Sequence, residues 1–409
     1  MKTFRRVLLT GLAVLAGLVL LTAVWAFVAF PSAYVTRVLR YGEADVYDYR
    51  WLPERTVPAS TQPYRFAENP QPDAVARLFE RDAAVDDLDE FLDRNRTQAF
   101  LVIQGDTLRY ERYFHGAARD SVVTSFSVAK SFASALVGVA IEEGDIGGVT
   151  DPITAYLPEL EQRHEAFAEI TIEDLLRMSS GIAYEEKLLL SGDNAKTYYY
   201  PDLRALALEQ TKIDGPPGET FLYNNYHPLL LGIILERATG TAVADYLAEK
   251  IWQPMGAEYD GSWSLDSEET AFEKMESGIN ARAIDFAKFA SLFLRGGRWN
   301  GQQVVPADWV AASTRPDPAL TVGEYYPDDF VFADGRGYYG YLWWGMRRAD
   351  GYDFAAVGNH GQLLYVSPAA DMVIVRHGES YGELGDSQGW LEWFYDVASA
   401  VSAASPDGG

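Results

Sequence analysis

The stretch of this 409-residue sequence that most constrains its fold runs from Thr124 to Gly144 and reads TSFSVAKSFASALVGVAIEEG. From Phe126 to Ile141 the residues favour a helix and are apolar almost all the way round, a pattern typical of a helix buried in a core. Ser127 and Lys130 stand three residues apart in its first turn, so they share one face. The fold must therefore bury this helix while it accommodates an amine that is costly to bury.

Two interpretations of Lys130 are open at this point. Either the first turn reaches the surface and the ammonium group lies in water, or the lysine is buried beside Ser127. Burial disfavours the ammonium form and lowers the pKa of a lysine, so a buried amine can act as a base near neutral pH. In that case Ser127 is a candidate nucleophile, because the free N–H groups at a helix N-terminus stabilise an oxyanion.

The composition excludes several classes of function. A net charge of −25 argues against nucleic acid and anionic lipid headgroups as partners, because both attract basic surfaces. Such an acidic surface is typical of a highly soluble protein or of one adapted to salty water. The chain has no cysteine and only five scattered histidines. We therefore predict no disulfide, no metal site and no cofactor.

The N-terminus combines Lys2, Arg5 and Arg6 with an apolar run from Val7 to Phe30. As a helix this run would be roughly 36 Å long, enough to cross the ~30 Å hydrocarbon layer of a membrane. It is longer than the apolar centre of a secretory signal and offers poor cleavage sites. We predict an uncleaved anchor, with a cleaved signal as the alternative. The basic residues favour a cytoplasmic N-terminus, a single pass through the inner membrane and a catalytic domain in the periplasm of a Gram-negative cell.

The rest of the sequence predicts an α+β domain. Two strands joined at Gly105-Asp106 precede the opening helix, a long helical block follows it, and short aromatic or β-branched strands begin after Gly335. The simplest arrangement joins both strand sets in one antiparallel sheet flanked by helices, with an all-helical subdomain inserted between them. The predicted organisation is an anchor (1–30), a juxtamembrane linker (31–72), a main domain (73–404) with its helical subdomain at about 145–270, and a disordered tail (405–409).

Two further segments carry candidate functional residues. PPGETFLYNNYHP places Tyr223 and Asn225 on a loop before a helix. A tyrosine there can relay a proton between a serine hydroxyl, a lysine amine and a leaving group, and Asn225 can donate its amide to a substrate carbonyl. AAVGNHGQLLYVSP places Asn359-His360-Gly361 between two predicted strands, where the glycine allows close backbone approach. Core packing of the tyrosine and an ordinary hairpin turn at the glycine are the alternatives.

These three motifs, in this order, resemble the serine β-lactamase and penicillin-recognising superfamily, and most of all its class C β-lactamase-like branch. Ser127-Val128-Ala129-Lys130 is similar to the S-x-x-K of that superfamily, and Tyr223-Asn224-Asn225 is similar to its Y-x-N. Asn359-His360-Gly361 stands where the superfamily has K-T-G or H-x-G. The resemblance covers roughly Ala99 to His377, and the context FEKMESGINARAIDFAKF is similar to that of the 6-aminohexanoate-dimer hydrolases.

The resemblance implies a β-lactamase/transpeptidase-like fold and a serine hydrolase. Ser127 would then be the nucleophile, Lys130 its general base and Tyr223 the proton shuttle. The oxyanion hole would consist of the backbone N–H groups of Ser127 and Gln362, the residue after the third motif. A small amide or ester would acylate Ser127, and water would then hydrolyse the acyl-enzyme.

The third motif departs from the superfamily pattern. Where β-lactamases commonly place a lysine that holds the antibiotic's carboxylate, this chain has Asn359, followed by His360 and Gly361. The neutral or weakly basic pair of Asn359 and His360 binds a carboxylate less well than a lysine does, so esters or amides with a free amine fit better as substrates. The alternatives are a β-lactamase or D-Ala-D-Ala peptidase acting on cell-wall material, and a catalytically silent ligand-binding envelope protein. We expect specificity to reside in the loops Tyr184–Tyr200 and Thr314–Asp334.

Overall fold

The computed structural model of this chain describes residues 2–81, 85–187, 189–317, 335–349 and 351–404. The predicted disordered tail (405–409) and most of the predicted specificity loop Thr314–Asp334 lie outside these residues.

The described helices and strands have the following bounds. The helices are α1 (Lys2–Ala29), α2 (Ser32–Tyr41), α3 (Pro72–Phe79), α4 (Leu88–Arg94), α5 (Val128–Glu143), α6 (Pro158–Arg163), α7 (Ile172–Leu176), α8 (Asp193–Tyr199), α9 (Leu203–Gln210), α10 (Tyr226–Thr239), α11 (Val243–Leu247), α12 (Ala283–Leu294), α13 (Ala307–Thr314) and α14 (Ser387–Ala404). The strands are β1 (Glu54–Val57), β2 (Ala67–Glu68), β3 (Thr97–Gln104), β4 (Thr107–Tyr113), β5 (Val123–Thr124), β6 (Gly261–Ser264), β7 (Ile279–Ala281), β8 (Arg298–Trp299), β9 (Gln302–Gln303), β10 (Gly337–Tyr339), β11 (Trp344–Arg348), β12 (Gly351–Gly358), β13 (Gln362–Ser367) and β14 (Met372–Gly378).

Eight of the described strands form the main sheet, in the order β10-β11-β12-β13-β14-β3-β4-β2. The hairpin of β3 and β4 precedes α5 in the chain, whereas β10 to β14 follow the helical block. The two sets meet where β14 pairs antiparallel with β3, so the predicted single sheet is confirmed. The edge strand β2 runs parallel to β4, which makes the sheet mixed rather than wholly antiparallel.

Two helices cover opposite faces of the main sheet. Trp390 of α14 lies against the guanidinium of Arg376, 3.8 Å from ring centroid to carbon. Phe286 of α12 lies against the ring of His377, with centroids 4.8 Å apart. Arg376 and His377 are consecutive residues of β14, and consecutive side chains of a strand point to opposite faces. The main sheet is therefore the middle layer between two sets of helices, with core on both of its faces.

A second sheet, which the sequence did not predict, contains four described strands in the order β1-β6-β7-β5. β6 lies within the segment predicted as all-helical (145–270), and β1 lies within the segment predicted as a linker (31–72). These strands are only two to four residues long, too short for an alternation of apolar and polar side chains to be recognised. The sheet ends at β5, which leads directly to Ser127.

Residues 31–72 belong to the folded domain and are not a separate linker. β1 pairs with β6, and Tyr34 and Val38 of α2 are buried in a cluster with Tyr199. Tyr34 also donates a hydrogen bond from its hydroxyl to the carbonyl of Leu190, at 2.9 Å. The segment makes its contacts through one short strand and scattered single side chains, which leave no periodic pattern in the sequence.

Helix α1 is long and apolar enough to cross a membrane over Phe4–Ala29. Its apolar side chains project away from the rest of the protein, and Leu8 and Val28 are among the exposed ones. An N-terminal signal sequence can also form an apolar helix of this kind, so the helix by itself fits either a membrane span or a signal.

Candidate active site

Ser127 and Lys130 lie at the N-terminal end of α5, whose next thirteen residues are buried in the core. Ser125 follows β5 of the second sheet and holds the backbone that leads to this turn, because its Oγ donates to the carbonyl of Ser277 at 2.9 Å. Phe126, directly before Ser127, has φ of +42°. A residue with a side chain reaches this region only when its surroundings hold it there, at a cost of roughly 1–3 kcal/mol. The backbone at Ser127 is thus held in a strained turn at the head of a buried helix.

Lys130 is buried beside Ser127, with 1% of the residue exposed. Its Nζ lies 2.7 Å from Ser127 Oγ and donates to the carbonyl of Glu276 at 3.0 Å. Burial lowers the pKa of Lys130 from 10.5 to about 7, and the carboxylate of Glu276 opposes this shift. The interpretation in which Lys130 lies in water is therefore wrong. A neutral amine in this position can accept the hydroxyl proton of Ser127.

Tyr223 is the third member of this group. Its hydroxyl shares a hydrogen bond with the side chain of Ser127, and its ring lies 5.0 Å from Lys130 Nζ. The ring stacks against Trp344 with centroids 5.5 Å apart. Burial raises the pKa of Tyr223 above its ordinary range, so the phenol stays protonated at neutral pH. The structure thus brings together three side chains that the sequence places in two distant motifs.

The end of β12 approaches the same turn. A Cβ atom at Gly358 would lie 2.4 Å from the carbonyl oxygen of Ser125 and 3.1 Å from Cβ of Phe126, so only glycine fits there. Gly358 pairs in register with Gln362, the first residue of β13. The backbone of Gln362 is therefore placed next to the turn that carries Ser127, where the sequence predicts the second oxyanion donor.

A buried arginine, Arg376, binds the backbone of the third motif. Arg376 is 0% exposed and donates to the carbonyls of Gly361, Asn95 and Ser380, at 2.8, 2.8 and 2.9 Å, and to Thr97 Oγ1 at 3.0 Å. Burial lowers the pKa of Arg376 to about 9, so the guanidinium is still charged at neutral pH. A Cβ atom at Gly361, whose φ is +78°, would lie 2.0 Å from the guanidinium. The third motif therefore requires glycine for both space and conformation.

The residues that replace the lysine of the superfamily pattern are engaged in the turn itself. His360 Nε2 lies 2.9 Å from the carbonyl oxygen of Ala44, and its ring lies 5.1 Å from that of Phe126. Asn359 is exposed, and its Oδ1 accepts hydrogen bonds from the His360 N–H and from the hydroxyl of Tyr381. His360 thus connects the residue before Ser127 with the segment that follows α2.

Asn225 differs from its predicted role. Its Nδ2 donates to Tyr184 OH at 2.8 Å and to Thr197 Oγ1 at 3.3 Å. The Thr197 hydroxyl donates its own hydrogen to the carbonyl of Asp193, so it must accept from Asn225, and this fixes the orientation of the amide. Among the described residues, no hydrogen-bond partner lies at the other atom of this amide, the buried Oδ1. The predicted donation from Asn225 to a substrate carbonyl does not fit this geometry, because the remaining atom is an acceptor.

Sequence analysis missed the residues behind Lys130. Lys274 is buried, and its Nζ donates to Glu276 Oε1 at 2.7 Å and to the carbonyl of Tyr198 at 2.6 Å. The ring of Tyr198 stacks against that of Phe126 at 6.3 Å. FEKMES supported only the family resemblance in the sequence. Its lysine two residues before a glutamate, a spacing that puts both on one face of an extended segment, is the signal that could have indicated an ion pair.

The surroundings of the group are acidic. Burial is the main cause of the pKa shifts of Lys130 and Tyr223, and the negative charge of the exposed Glu186 raises both values. Glu186 therefore lies within electrostatic range of both side chains. Within the described ranges, no group of three His, Asp or Glu side chains is placed to hold a metal ion.

Comparisons of the sequence and of the structure with known proteins both find proteins named as 6-aminohexanoate-dimer hydrolases. The 6-aminohexanoate-dimer hydrolase of Paenarthrobacter ureafaciens is 29% identical over 320 residues, which cover 74% of this chain and 77% of that protein. A solved Bacillus anthracis protein, provisionally assigned as a 6-aminohexanoate-dimer hydrolase, has a TM-score of 0.75 at 26% identity and covers 88% of this chain and 93% of its own. EstCE1, described as a hydrolase with promiscuous acyltransferase activity, shares the fold, with a TM-score of 0.60 at 16% identity over 81% of this chain and all of its own.

The family model named Beta-lactamase matches residues 85–387, which is more than half of the chain. The matched region begins before the β3–β4 hairpin and ends at the start of α14. It therefore contains Ser127, Lys130, Tyr223 and the third motif. This protein belongs to the beta-lactamase family and is a serine hydrolase.

Proposed function

We propose that this protein hydrolyses small amides or esters through an acyl-enzyme on Ser127. The observation that carries the proposal is the 2.7 Å contact between Lys130 Nζ and Ser127 Oγ. The pKa of this amine is lowered by burial to about 7, so roughly half of such amines are unprotonated at neutral pH. A neutral Lys130 is a base positioned on the hydroxyl that it must activate.

In the acylation step, the proton of Ser127 Oγ passes to Lys130 Nζ while Oγ attacks the carbonyl carbon of the substrate. The carbonyl oxygen becomes an oxyanion and accepts hydrogen bonds from the backbone N–H groups of Ser127 and Gln362. Each such donor contributes about 2.7–4 kcal/mol to the stability of the transition state. The N-terminal end of α5 adds the favourable field of its helix dipole.

Tyr223 completes the proton path. Its phenol donates a proton to the leaving nitrogen or oxygen as the C–N or C–O bond breaks, and regains a proton from the Lys130 ammonium. A water molecule then attacks the ester of Ser127, and Lys130 accepts the proton of that water. Collapse of the second tetrahedral intermediate returns the hydroxyl proton to Ser127 Oγ and releases the carboxylic acid product.

The charges around the site favour neutral or cationic substrates. Glu186 exposes a carboxylate near Lys130 and Tyr223, and the chain carries a net charge of −25. Asn359 stands where a carboxylate-binding lysine is common in the family pattern. We propose linear amides with a free amine, such as the 6-aminohexanoate dimer after which the Paenarthrobacter relative is named, ahead of anionic β-lactams.

The location of the reaction depends on α1. We propose that α1 is retained as a single anchor in the cytoplasmic membrane, with Lys2, Arg5 and Arg6 in the cytoplasm and the catalytic domain outside it. Intact-mass measurement of the membrane fraction tests this. A mass that includes residues 1–30 supports the anchor, whereas a chain that begins near residue 31 supports a cleaved signal.

A substrate panel on the detergent-solubilised full chain tests the activity. The panel contains chromogenic esters, linear amides with and without a free amine, D-Ala-D-Ala peptides and nitrocefin. We expect turnover of esters and of amides with a free amine, and covalent labelling by a fluorophosphonate, both lost in Ser127→Ala. Retained turnover in Ser127→Ala contradicts the proposal. Preference for nitrocefin or D-Ala-D-Ala peptides supports the cell-wall alternative, and failure of the wild type to label or turn over any substrate supports a silent binding protein.

Ser134→Ala is the matched control. Ser134 is a buried serine of the same helix, and its hydroxyl has no hydrogen-bond partner within the described part of the chain. Its loss therefore removes no described contact and leaves the turn at Ser127 intact. We expect wild-type labelling and turnover from this variant, so a loss in both serine variants would indicate a general disturbance of α5.

A further inference from the structure

The segment between α2 and β1 reaches the candidate active site through one buried carboxylate. Asp48 lies in a single 3₁₀ turn, Asp48–Arg50, and is 6% exposed. Its Oδ2 accepts hydrogen bonds from the hydroxyl of Tyr198 at 3.1 Å and from the N–H of Asp45 at 2.9 Å. Its Oδ1 accepts from Trp51 Nε1 at 2.9 Å. Three donors fix both oxygens, so the carboxylate is a rigid anchor point.

Tyr198, which donates its hydroxyl to Asp48, also contacts the residue before Ser127. Its ring stacks on that of Phe126 with centroids 6.3 Å apart and planes 17° apart. Phe126 has the positive φ described above, and such a conformation persists only where neighbouring groups over-determine it. The ring of His360 contacts Phe126 from another side. Tyr198 is therefore one of the side chains that hold the strained turn before the nucleophile.

Tyr198 also connects with Lys130 through a second route. Its carbonyl accepts a hydrogen bond from Lys274 Nζ, and Lys274 pairs with the carboxylate of Glu276. The carbonyl of Glu276 in turn accepts a hydrogen bond from Lys130 Nζ. Asp48 is thus connected to both Ser127 and Lys130 by short chains of contacts through Tyr198.

We propose that Asp48 is a positioning residue for the hydrolytic reaction and acts through Tyr198. It holds the Tyr198 ring against Phe126 and the Tyr198 carbonyl on Lys274, and these contacts keep Ser127 Oγ and Lys130 Nζ aligned. The inference rests on the proposed function of Ser127 and Lys130. It makes the segment next to the predicted anchor a support of the catalytic group.

A double-mutant cycle in the full chain tests this inference. The variants are Asp48→Asn, Tyr198→Phe and the double variant, assayed in detergent with a chromogenic ester and with fluorophosphonate titration of active sites. Misalignment of reacting groups by about 1 Å costs up to about 100-fold in rate. We expect each single variant to lose roughly tenfold in kcat with KM changed less than about twofold. The kcat of the double variant should be no lower than that of the less active single variant, because both substitutions remove the same hydrogen bond.

Two results would overturn the inference. One is a wild-type kcat in Asp48→Asn, even if its melting temperature falls, because Asp48 would then serve stability alone. The other is multiplication of the two single losses in the double variant, which would mean that Asp48 does not act through Tyr198. If Asp48→Asn does not fold, Trp51→Phe replaces it in the cycle. That variant removes one donor to Asp48 and keeps an aromatic ring, and an unchanged kcat would count against the inference.

A second aspartate–tyrosine pair provides the matched control. Asp353 is buried in β12 and accepts a hydrogen bond from the hydroxyl of Tyr365, and neither residue contacts the group around Ser127. We expect Asp353→Asn and Tyr365→Phe to lower the melting temperature and to retain kcat per labelled site. An equal loss of kcat in this pair would overturn the inference by showing a general loosening. A wild-type protein that neither labels nor turns over would instead refute the proposed function.

Discussion

Lys130 of α5 and Lys288 of α12 are buried to the same degree, but their partners differ. Lys130 is 1% exposed and Lys288 is 0% exposed. Each contacts the side chain three residues earlier on its helix, which is Ser127 for Lys130 and Asp285 for Lys288, at 2.7 and 2.9 Å. Lys288 also forms an ion pair with Glu258 at 3.0 Å. The same helical spacing thus places one amine on a hydroxyl and the other on a carboxylate, and a residue outside α12, Glu258, adds a second carboxylate to Lys288.

The comparison shows that burial alone does not make a base. Two carboxylates balance the charge of Lys288, so its ammonium form is compensated where it is buried. Lys130 instead bonds to a hydroxyl and a carbonyl, and the nearby carboxylate of Glu276 is already paired with Lys274. Within the described part of the chain no carboxylate pairs directly with Lys130, and burial lowers its pKa to about 7. We therefore propose that, in this protein, the partner decides whether a buried lysine stabilises the fold or serves as a base.

The largest expected effect is an opposite response of the two lysines to replacement by methionine. Lys130→Met removes the base and should reduce kcat about 1,000-fold, while the free energy of unfolding changes by less than about 1 kcal/mol. Lys288→Met removes the counterion of the fully buried Asp285, whereas Glu258 keeps its ion pair with Arg119, and the change should cost about 3 kcal/mol of stability. Its kcat per folded molecule should stay at the wild-type value. Denaturant unfolding and active-site titration measure the two quantities separately.

Each lysine is the control for the other in this experiment. The comparison fails if Lys130→Met retains turnover, or if Lys288→Met lowers kcat per labelled site as strongly as Lys130→Met does. Either outcome would mean that the partner of a buried lysine does not decide its role in this protein.

The next effect concerns the proton path from Lys130. Tyr223→Phe removes the phenol that bonds to Ser127, and kcat for amides should fall about 100-fold or more, because an amine leaving group needs a proton. The loss should be much smaller for p-nitrophenyl esters, whose leaving group departs as an anion. Tyr246→Phe is the control, since its hydroxyl bonds to Glu143 at 2.9 Å, outside the site. Equal losses for both substrate classes would argue against a shuttle role for Tyr223.

A smaller effect is expected from Arg376, a buried cation whose described partners are mainly carbonyls. Arg376→Lys keeps the charge but loses the fork that bonds to Gly361 and the neighbouring backbone, so the turn before Gln362 should loosen. We expect kcat to fall about tenfold with little change in KM, since an oxyanion donor acts mainly in the transition state. Arg348→Lys, at an arginine paired with Asp353, is the control and should affect stability only. A loss confined to KM would contradict this prediction.

The smallest effect tests the electrostatic part of the comparison. The positive charge of Lys274 lowers the pKa of Lys130, although less than burial does. Lys274→Met removes this charge and leaves Glu276 unpaired, so the apparent pKa in the pH profile of kcat/KM should rise. Activity should fall about threefold at pH 7 and recover near pH 9. An activity loss that does not recover at high pH would indicate misplacement of Lys130 instead.

The sequence predicted those helices and strands whose type can be recognised within one continuous segment. The hairpin at Gly105-Asp106, the buried helix after Phe126 and the strands after Gly335 are continuous elements with clear turn signals or long apolar runs, and the structure contains them. The closeness of Ser127 and Lys130 could be predicted because residues three apart share one face of a helix, whereas their catalytic roles stay a prediction. Tyr223 required the family resemblance, since nothing in its own segment indicates which distant residue it contacts.

The remaining contacts are non-local and could not be predicted from spacing. Asp48 meets Tyr198 across 150 residues of sequence, and Lys274 reaches Tyr198 across 76. The short strands of the second sheet carry too few residues for a periodic signal. The predicted role of Asn225 does not fit the structure, because Thr197 of α8 accepts a hydrogen bond from the Asn225 amide. That contact joins two segments 28 residues apart and leaves no local signal. Such contacts are determined by packing, and no single segment records them.

The pH dependence of Ser127 labelling tests the central claim most directly. The second-order rate constant for fluorophosphonate labelling is measured on the full chain from pH 5 to pH 10. Because the amine must be unprotonated to accept the Ser127 proton, we predict a rate that rises with pH and reaches half its maximum at about pH 7, the value to which burial lowers the pKa of Lys130. A midpoint near the ordinary lysine value of about 10.4, or a rate independent of pH, would contradict the claim that Lys130 is the base.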